Sequence, residues 1–244
     1  MEKQRGVTNW STTHSSPLEY SKLTLINFAS RHKKTDNPSL VLTHRTIEPT
    51  DSTKYLGVIV DRHLNWKAQQ SYMVEKGTKW AMQIRRLARP SWGLTPKHAK
   101  RLFISMVLPK ILYALDVWCI PSDDPVLGPK ANGSSKVTKQ ISSIQRAGAL
   151  AILGGLRTSP MDALDACTHL LPAPLLIWKA CYRAYVHMAT LPPQHPLFKP
   201  VSWKTTRTTQ KHRGPLQNLA RLYETEARSF EKIPSVYRDP SSTV

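Results

Sequence analysis

Acidic residues are scarce in this sequence. Asp and Glu number 16 in 244 residues against 35 Lys and Arg, a formal charge of +19 at neutral pH. Such an excess is the electrostatic footprint of a phosphate-rich partner. An anionic membrane surface is a competing reading, and some basic proteins bind nothing specific. Cysteine is scarcer still: Cys119, Cys167 and Cys181 are odd in number and lack any CxxC spacing. They give neither a zinc site nor a disulfide framework, and they suit a reducing compartment. Long apolar runs are missing too. None reaches the ~18 residues that span a bilayer. The best stretch, "ILYALDVWCI", is short and carries Asp116. The N-terminal "MEKQRGVTNWSTTHSS" has no apolar core of a secretory signal. The expectation is an intracellular protein, nuclear or cytoplasmic, not secreted and without a membrane partner.

The usual motifs of covalent and nucleotide chemistry are also missing. There is no GxSxG and no P-loop, and "GGL" at 154–156 lacks the Lys-Ser/Thr ending. The nine histidines are dispersed, with no HExxH; His169 and His187 read as core-edge or surface residues. One Asp-Asp pair exists, Asp123-Asp124, flanked by Pro121 and Pro125. It reads as a solvated turn. Asp162 and Asp165 share a helix face at a spacing of three and read as acids favoured by the helix dipole.

What is present sorts into three regions, of α+β class and mainly α. Residues 1–62 read as a small antiparallel β meander with strands near 21–28, 39–48 and 54–60. The third, "KYLGVIV", is apolar on both faces, as a well-covered strand would be. Residues 63–200 read as a helical bundle. In 66–89 the set Trp66, Met73, Gly77, Trp80, Ile84 and Leu87 falls on one face, with Lys67, Lys79, Arg85, Arg86 and Arg89 opposite. Thr95-Pro96 starts the next helix, which runs through 101–118 with a kink at Pro109. Another helix runs near 136–153, with Ile141, Ile144, Gly148 and Ile152 inward, and stops at Gly154-Gly155. Ser159-Pro160 opens a short helix, and 174–189 forms the last strong one. Residues 201–244 read as a linker or disordered basic tail holding at most one helix, "LQNLARLYETEARSF".

Five segments, in order, resemble the polyprotein of non-LTR (LINE-type) retrotransposons, of fungal type. They are "HSSPLEYSKLTLINF", "STKYLGVIVDRHLNWKAQ", "RLFISMVLPKILYALDVW", "SIQRAGALAILGGLRTSPMDALDA" and "HLLPAPLLIWKACYRAYVHMATLPPQHPL". The resemblance implies that 1–62 is the end of a reverse-transcriptase palm, 63–200 the thumb and connection, and 201–244 a linker. Lys22 then falls where the family often places a lysine near the leaving pyrophosphate. "KYLGV", with Lys54, Tyr55 and Gly57, falls on the hairpin that grips the primer end. The residues themselves leave Gly57 open: it marks either a close approach by a sugar-phosphate chain or merely a bulge or crowded core.

A thumb holds primer–template duplex by its backbone, which needs Lys and Arg at phosphate spacing. Residues 62–110 hold eleven basic residues against one acid, Glu75, a local balance of +10. A merely solvated helix face usually mixes both signs. The nucleic-acid-binding set is therefore Lys54, Tyr55, Gly57, Lys67, Lys79, Arg85, Arg86, Arg89, Trp92, Lys97, Lys100 and Arg101. Trp66 and Trp80 are assigned to core packing. Trp92, in "RPSWGLTP", either stacks on a base or sugar or plugs a helix junction.

Two-metal phosphoryl transfer needs converging carboxylates. The family carries an aspartate on one palm strand and an aromatic-x-Asp-Asp hairpin on the next; neither occurs here. The resemblance implies that the chain starts just after that hairpin and ends where an RNase H domain would begin. The expectation is no catalysis alone and no cofactor in this chain, Mg2+ belonging to the full polymerase. The implied partners are RNA–DNA or DNA duplex and the rest of the polymerase. A stand-alone basic helical module for nucleic acid or protein, or a remnant without selected function, is the alternative.

Overall fold

The computed structural model describes residues 6–17, 19–29, 37–42, 45–88, 93–119, 121, 132–192 and 194–195. The Asp123-Asp124 pair and the whole region 201–244 lie outside the described residues. The fold is α+β and mainly α: helices follow two small antiparallel hairpins. The chain divides between Tyr72 and Met73 into two compact units.

The first unit opens with helix α1 (Val7–Thr13). Among the described residues the small antiparallel β region takes the form of two separate hairpins rather than one three-stranded meander. Strand β1 (Leu40–Leu42) pairs with β2 (Arg45–Ile47), matching Leu40 to Ile47, and buries Leu42 and Ile47. Strand β3 (Ser52–Tyr55) pairs with β4 (Val58–Asp61), matching Tyr55 to Val58. Residues 21–28 form no strand. A 3₁₀ turn covers Tyr20–Lys22, and Leu25 makes a single bridge to Pro49, where the Leu25 carbonyl accepts the Thr50 N–H at 2.8 Å.

"KYLGVIV" is not one strand, because the chain reverses inside it. Leu56 and Gly57 have φ of +47° and +86°. Two positive φ values in a two-residue loop are the signature of the type I′ turn, whose twist matches that of its strands. Gly57 is thus a turn residue at the hairpin apex and not a residue inside a strand. β4 leads into helix α2 (Lys67–Leu87) through Asp61, whose two carboxylate oxygens accept the N–H groups of Asn65 and Trp66 at 2.9 Å each. The Ile59 N–H in turn donates to Gln69 Oε1 at 2.8 Å.

The second unit is helical. α2 presents Met73, Gly77, Ala81 and Ile84 to the core, the three-and-four spacing of one helix face. Helix α3 (Pro96–Leu102) starts at Thr95 and carries Pro at its first position, where the missing N–H costs nothing. It runs into a π turn over Phe103–Val107 and then α4 (Leu108–Ile111). This differs from a kink at Pro109. An α-helical proline removes an N–H and strikes the carbonyl four residues back. The wider π turn just before Pro109 accommodates both defects without breaking the helix. The break comes instead over 112–114, where Ala114 turns left-handed (φ +50°), before the short α5 (Leu115–Trp118). Phe103, Val107, Ile111 and Leu115 of this stretch are all fully buried.

Helix α6 (Asn132–Leu153) packs against α3, α7 (Met161–Thr168) and α8 (Ala173–Ala189). Its buried set, Val137, Ile141, Ile144, Gly148, Ala149 and Ile152, follows the expected face, and it ends at Gly154, φ +65°. Two glycines set the closeness of the crossings. A Cβ on Gly77 would lie 2.5 Å from Ile111 Cγ2 and 2.8 Å from Ile144 Cδ1. One on Gly148 would lie 2.1 Å from Phe103 Cε2. The link from α6 to α7 is held by Arg146, which donates to the Arg157 and Ser159 carbonyls at 2.7 Å each. Among the described residues no helix is long and apolar enough to cross a membrane.

Candidate nucleic-acid interface

The basic residues singled out by sequence fall into two groups, one in each unit. In the helical unit, Lys79, Arg85 and Arg86 are exposed on α2, angularly away from Met73, Gly77 and Ile84. Arg85 and Arg86 occupy its last turn, where positive charge also favours the helix dipole. The chain returns at once: Ala88 bridges Gly93, and the Leu94 N–H donates to the Leu87 carbonyl at 2.9 Å. The start of α3 therefore lies beside the end of α2. Lys97 and Arg101 are exposed on α3, and Lys100 is half-buried there. No ion pair to another described residue engages Lys79, Arg85, Arg86, Lys97 or Arg101. Arg89 and Trp92, which belong to the same candidate set, lie outside the described residues.

Trp80 does more than pack. It is half-buried, and Lys110 Nζ sits 4.6 Å from its ring centroid. That cation–π contact ties α4 to α2, at ~0.5–2 kcal/mol. Spacing along α2 gives Trp80 an inward position but cannot show a partner thirty residues away. Trp66 is half-buried as well, with a left-handed backbone (φ +60°) at the start of α2.

In the first unit the exposed apex of the β3–β4 hairpin carries Tyr55 and Leu56 beside Gly57. Lys54 is already engaged: its Nζ donates to the Tyr72 hydroxyl at 3.1 Å and lies 5.0 Å from that ring's centroid. A phosphate there would compete with a tyrosine that the sequence reading did not single out. Lys67 is exposed on the first turn of α2. Lys22 is exposed and pairs with Glu19, whose carboxyl it holds below its ordinary value.

The acids do not converge. Among the described residues no group of three or more His, Cys, Asp or Glu is placed to hold a metal ion. Asp162 lies exposed in the first turn of α7, as expected. Asp165 does not behave as a solvated first-turn acid. It is buried, and its Oδ1 accepts from Gln145 Nε2 at 2.7 Å, while that same amide donates to the Leu171 carbonyl at 2.9 Å. Burial pushes its carboxyl pKa up; the Gln145 bond lowers it and the Asp162 charge raises it further. Two of the three thiols are buried. Burial pushes Cys119 up to about 12 and Cys181 upward also, so neither supplies a thiolate at neutral pH. His169 is exposed at the end of α7.

The helical unit thus presents exposed cations on α2 and α3 that make no ion pair with another described residue. Comparison with known proteins narrows the origin. Over 133 residues the chain is 29% identical to the Retrovirus-related Pol polyprotein from type-1 retrotransposable element R1 3 of Nasonia vitripennis, a match covering 52% of this chain and 32% of that protein. Over 82 residues it is 30% identical to the corresponding polyprotein from element R1 4 of the same organism, covering 34% of this chain and 21% of that protein. The chain thus spans about a third or less of the curated relatives it matches. These partial matches support a retrotransposon-related origin. No protein-family model matches the sequence, and no solved structure matches it.

Proposed function

We propose that this chain is a C-terminal portion of a non-LTR retrotransposon reverse transcriptase, comprising the end of the palm, the thumb and the connection. In this reading it grips primer–template duplex through the sugar-phosphate backbone and does not polymerise alone. Both relatives come from an insect, so assignment to the fungal type rests on the five resembling segments.

The observation that carries the reading is the surface of α2 and α3. Five exposed cations there have no acidic partner among the described residues, so their charge is available to phosphates. The exposed β3–β4 apex, with Tyr55 and Leu56 forward, suits a hairpin that touches a primer end. In this reading the carboxylates that hold Mg2+ belong to the rest of the polymerase. The sequence has no aromatic-x-Asp-Asp pair, and the described acids do not cluster. Pure protein with Mg2+ or Mn2+ is expected to incorporate no nucleotide, measured by primer extension.

Binding is tested by fluorescence anisotropy on an RNA–DNA hybrid across a salt series. Affinity should fall steeply with salt and hardly depend on sequence. The double variant Arg85→Glu, Arg86→Glu should weaken binding and flatten the log–log salt slope by about 2, since each lost phosphate contact removes about 0.9. Unchanged affinity in that variant overturns the surface assignment. Affinity insensitive to salt would favour a protein-interaction module.

A further inference from the structure

Lys110 is a basic residue of the 62–110 region whose place cannot be read from spacing along α2 or α3. Packing sets it. A Cβ on Gly77 would lie 2.5 Å from Ile111 Cγ2, so the glycine of α2 is what lets α4 come this close. Ile111 is fully buried at that contact. Its neighbour Lys110 is half-buried, and Lys110 Nζ lies 4.6 Å from the ring centroid of Trp80, three residues beyond Gly77 on α2. The lysine is thus held at both ends, by the backbone of α4 and by the ring face. It makes no ion pair with another described residue. An ammonium carries three N–H donors, and a ring face occupies one side of it. The other side is left for an anion.

Trp80 borders a basic stripe. On α2, Lys76, Lys79, Gln83 and Arg86 follow one another at spacings of three and four, and all are exposed. Trp80 lies four residues after Lys76 and three before Gln83, so its ring edges that stripe. Lys110 therefore brings a further cation, from a different helix, to the flank of Lys76, Lys79 and Arg86. The one acid of α2, Glu75, lies four residues before Lys79, and the balance along the stripe stays positive.

We propose that Lys110 is a further phosphate-binding residue of the α2 surface and that Trp80 is its positioning residue. This rests on the duplex-binding reading and adds to it a contact that comes from α4. A lysine that grips a phosphate surrenders rotamer freedom. Here packing and the ring have already restricted the side chain, so less freedom is left to lose. Backbone phosphate suits the site because an ammonium acts as a point charge and needs no fixed fork geometry. A contact that only ties α4 to α2 would support the fold equally well, but it would leave the salt dependence of binding independent of Lys110.

Fluorescence anisotropy of the full chain on an RNA–DNA hybrid, across a salt series, tests this. Lys110→Gln should weaken binding about five- to tenfold at 0.1 M salt and flatten the log–log slope by about 0.9, the share of one phosphate contact. Trp80→Leu should weaken binding as well, and Trp80→Phe, which keeps an aromatic face, should retain most of the affinity. In the Lys110→Gln background, Trp80→Leu should change affinity by less than about twofold, because the ring then has nothing to position. Lys110→Gln that binds like wild type with an unchanged slope overturns the proposal. So does a Trp80→Leu loss of equal size with and without Lys110, which makes the ring a structural support only. Wild-type affinity that does not fall with salt sinks the duplex reading itself, and the proposal with it.

Discussion

At the scale of single residues the informative side chain is Asp165. Spacing places it on a helix face with Asp162, and for Asp162 the first-turn reading holds. Asp165, one turn later, faces inward because Gln145 meets it there at 2.7 Å. No local pattern contains that partner, which is 20 positions away in the sequence. Burial outweighs the Gln145 bond, so the folded-state pKa lies above the ordinary 3.8. The native state then holds this proton more tightly than the unfolded chain does. The group's contribution to stability is fully present below the unfolded pKa and is lost as pH rises through the folded one. Asp165→Asn keeps an oxygen for Gln145 and removes the buried charge. Its melting temperature should exceed wild type at pH 7, and the gap should close as pH falls toward 4. A gap independent of pH would show that the charge is not what the site resists.

At the scale of elements, helices with clean periodicity were legible and reversals were not. Ile141, Ile144, Gly148 and Ile152 of α6 reveal their inward face by spacing alone, and Gly154 marks the stop. The β3–β4 reversal is hidden because Leu56, an apolar residue, occupies a turn position that usually takes Asn, Asp or Gly. It is 75% exposed, contrary to what a run of apolar residues suggests. The break after α4 is hidden by Pro109, which draws attention three residues too early. Gly148 is legible as inward but not as a contact, since Phe103 reaches it from another helix. Gly148→Ala should cost about 1–3 kcal/mol of stability, the usual penalty for overpacking a tight core, despite alanine's better helix propensity. Urea unfolding checks this. Phe103→Leu in the same background should recover part of the loss by clearing the ring from the new methyl. A neutral or stabilising Gly148→Ala would mean that the crossing relaxes freely.

At the scale of the whole molecule, hydrophobic patterning foretold the mainly helical α+β class, but not how unevenly the core is shared among the described residues. The first unit buries Leu42, Ile47, Val58 and Gln69, whereas the helical unit buries most of the large apolar side chains. Two-stranded hairpins are marginal by themselves, because half of each backbone ladder faces solvent and little apolar area is covered. Gln69 and Asp61 help by tying β4 to the start of α2, yet neutral or charged hydrogen bonds at a partly wet site contribute only about 0.5–3 kcal/mol each. The two units should therefore open at different free energies. In native-state hydrogen exchange, amides of the 52–61 ladder should open well below the global unfolding free energy, while those of 137–152 in α6 should approach it. The difference should persist in low urea, where the ladder opens with a small dependence on denaturant and α6 with a large one. Equal protection and equal denaturant dependence would mean that hairpins and bundle unfold as one cooperative body.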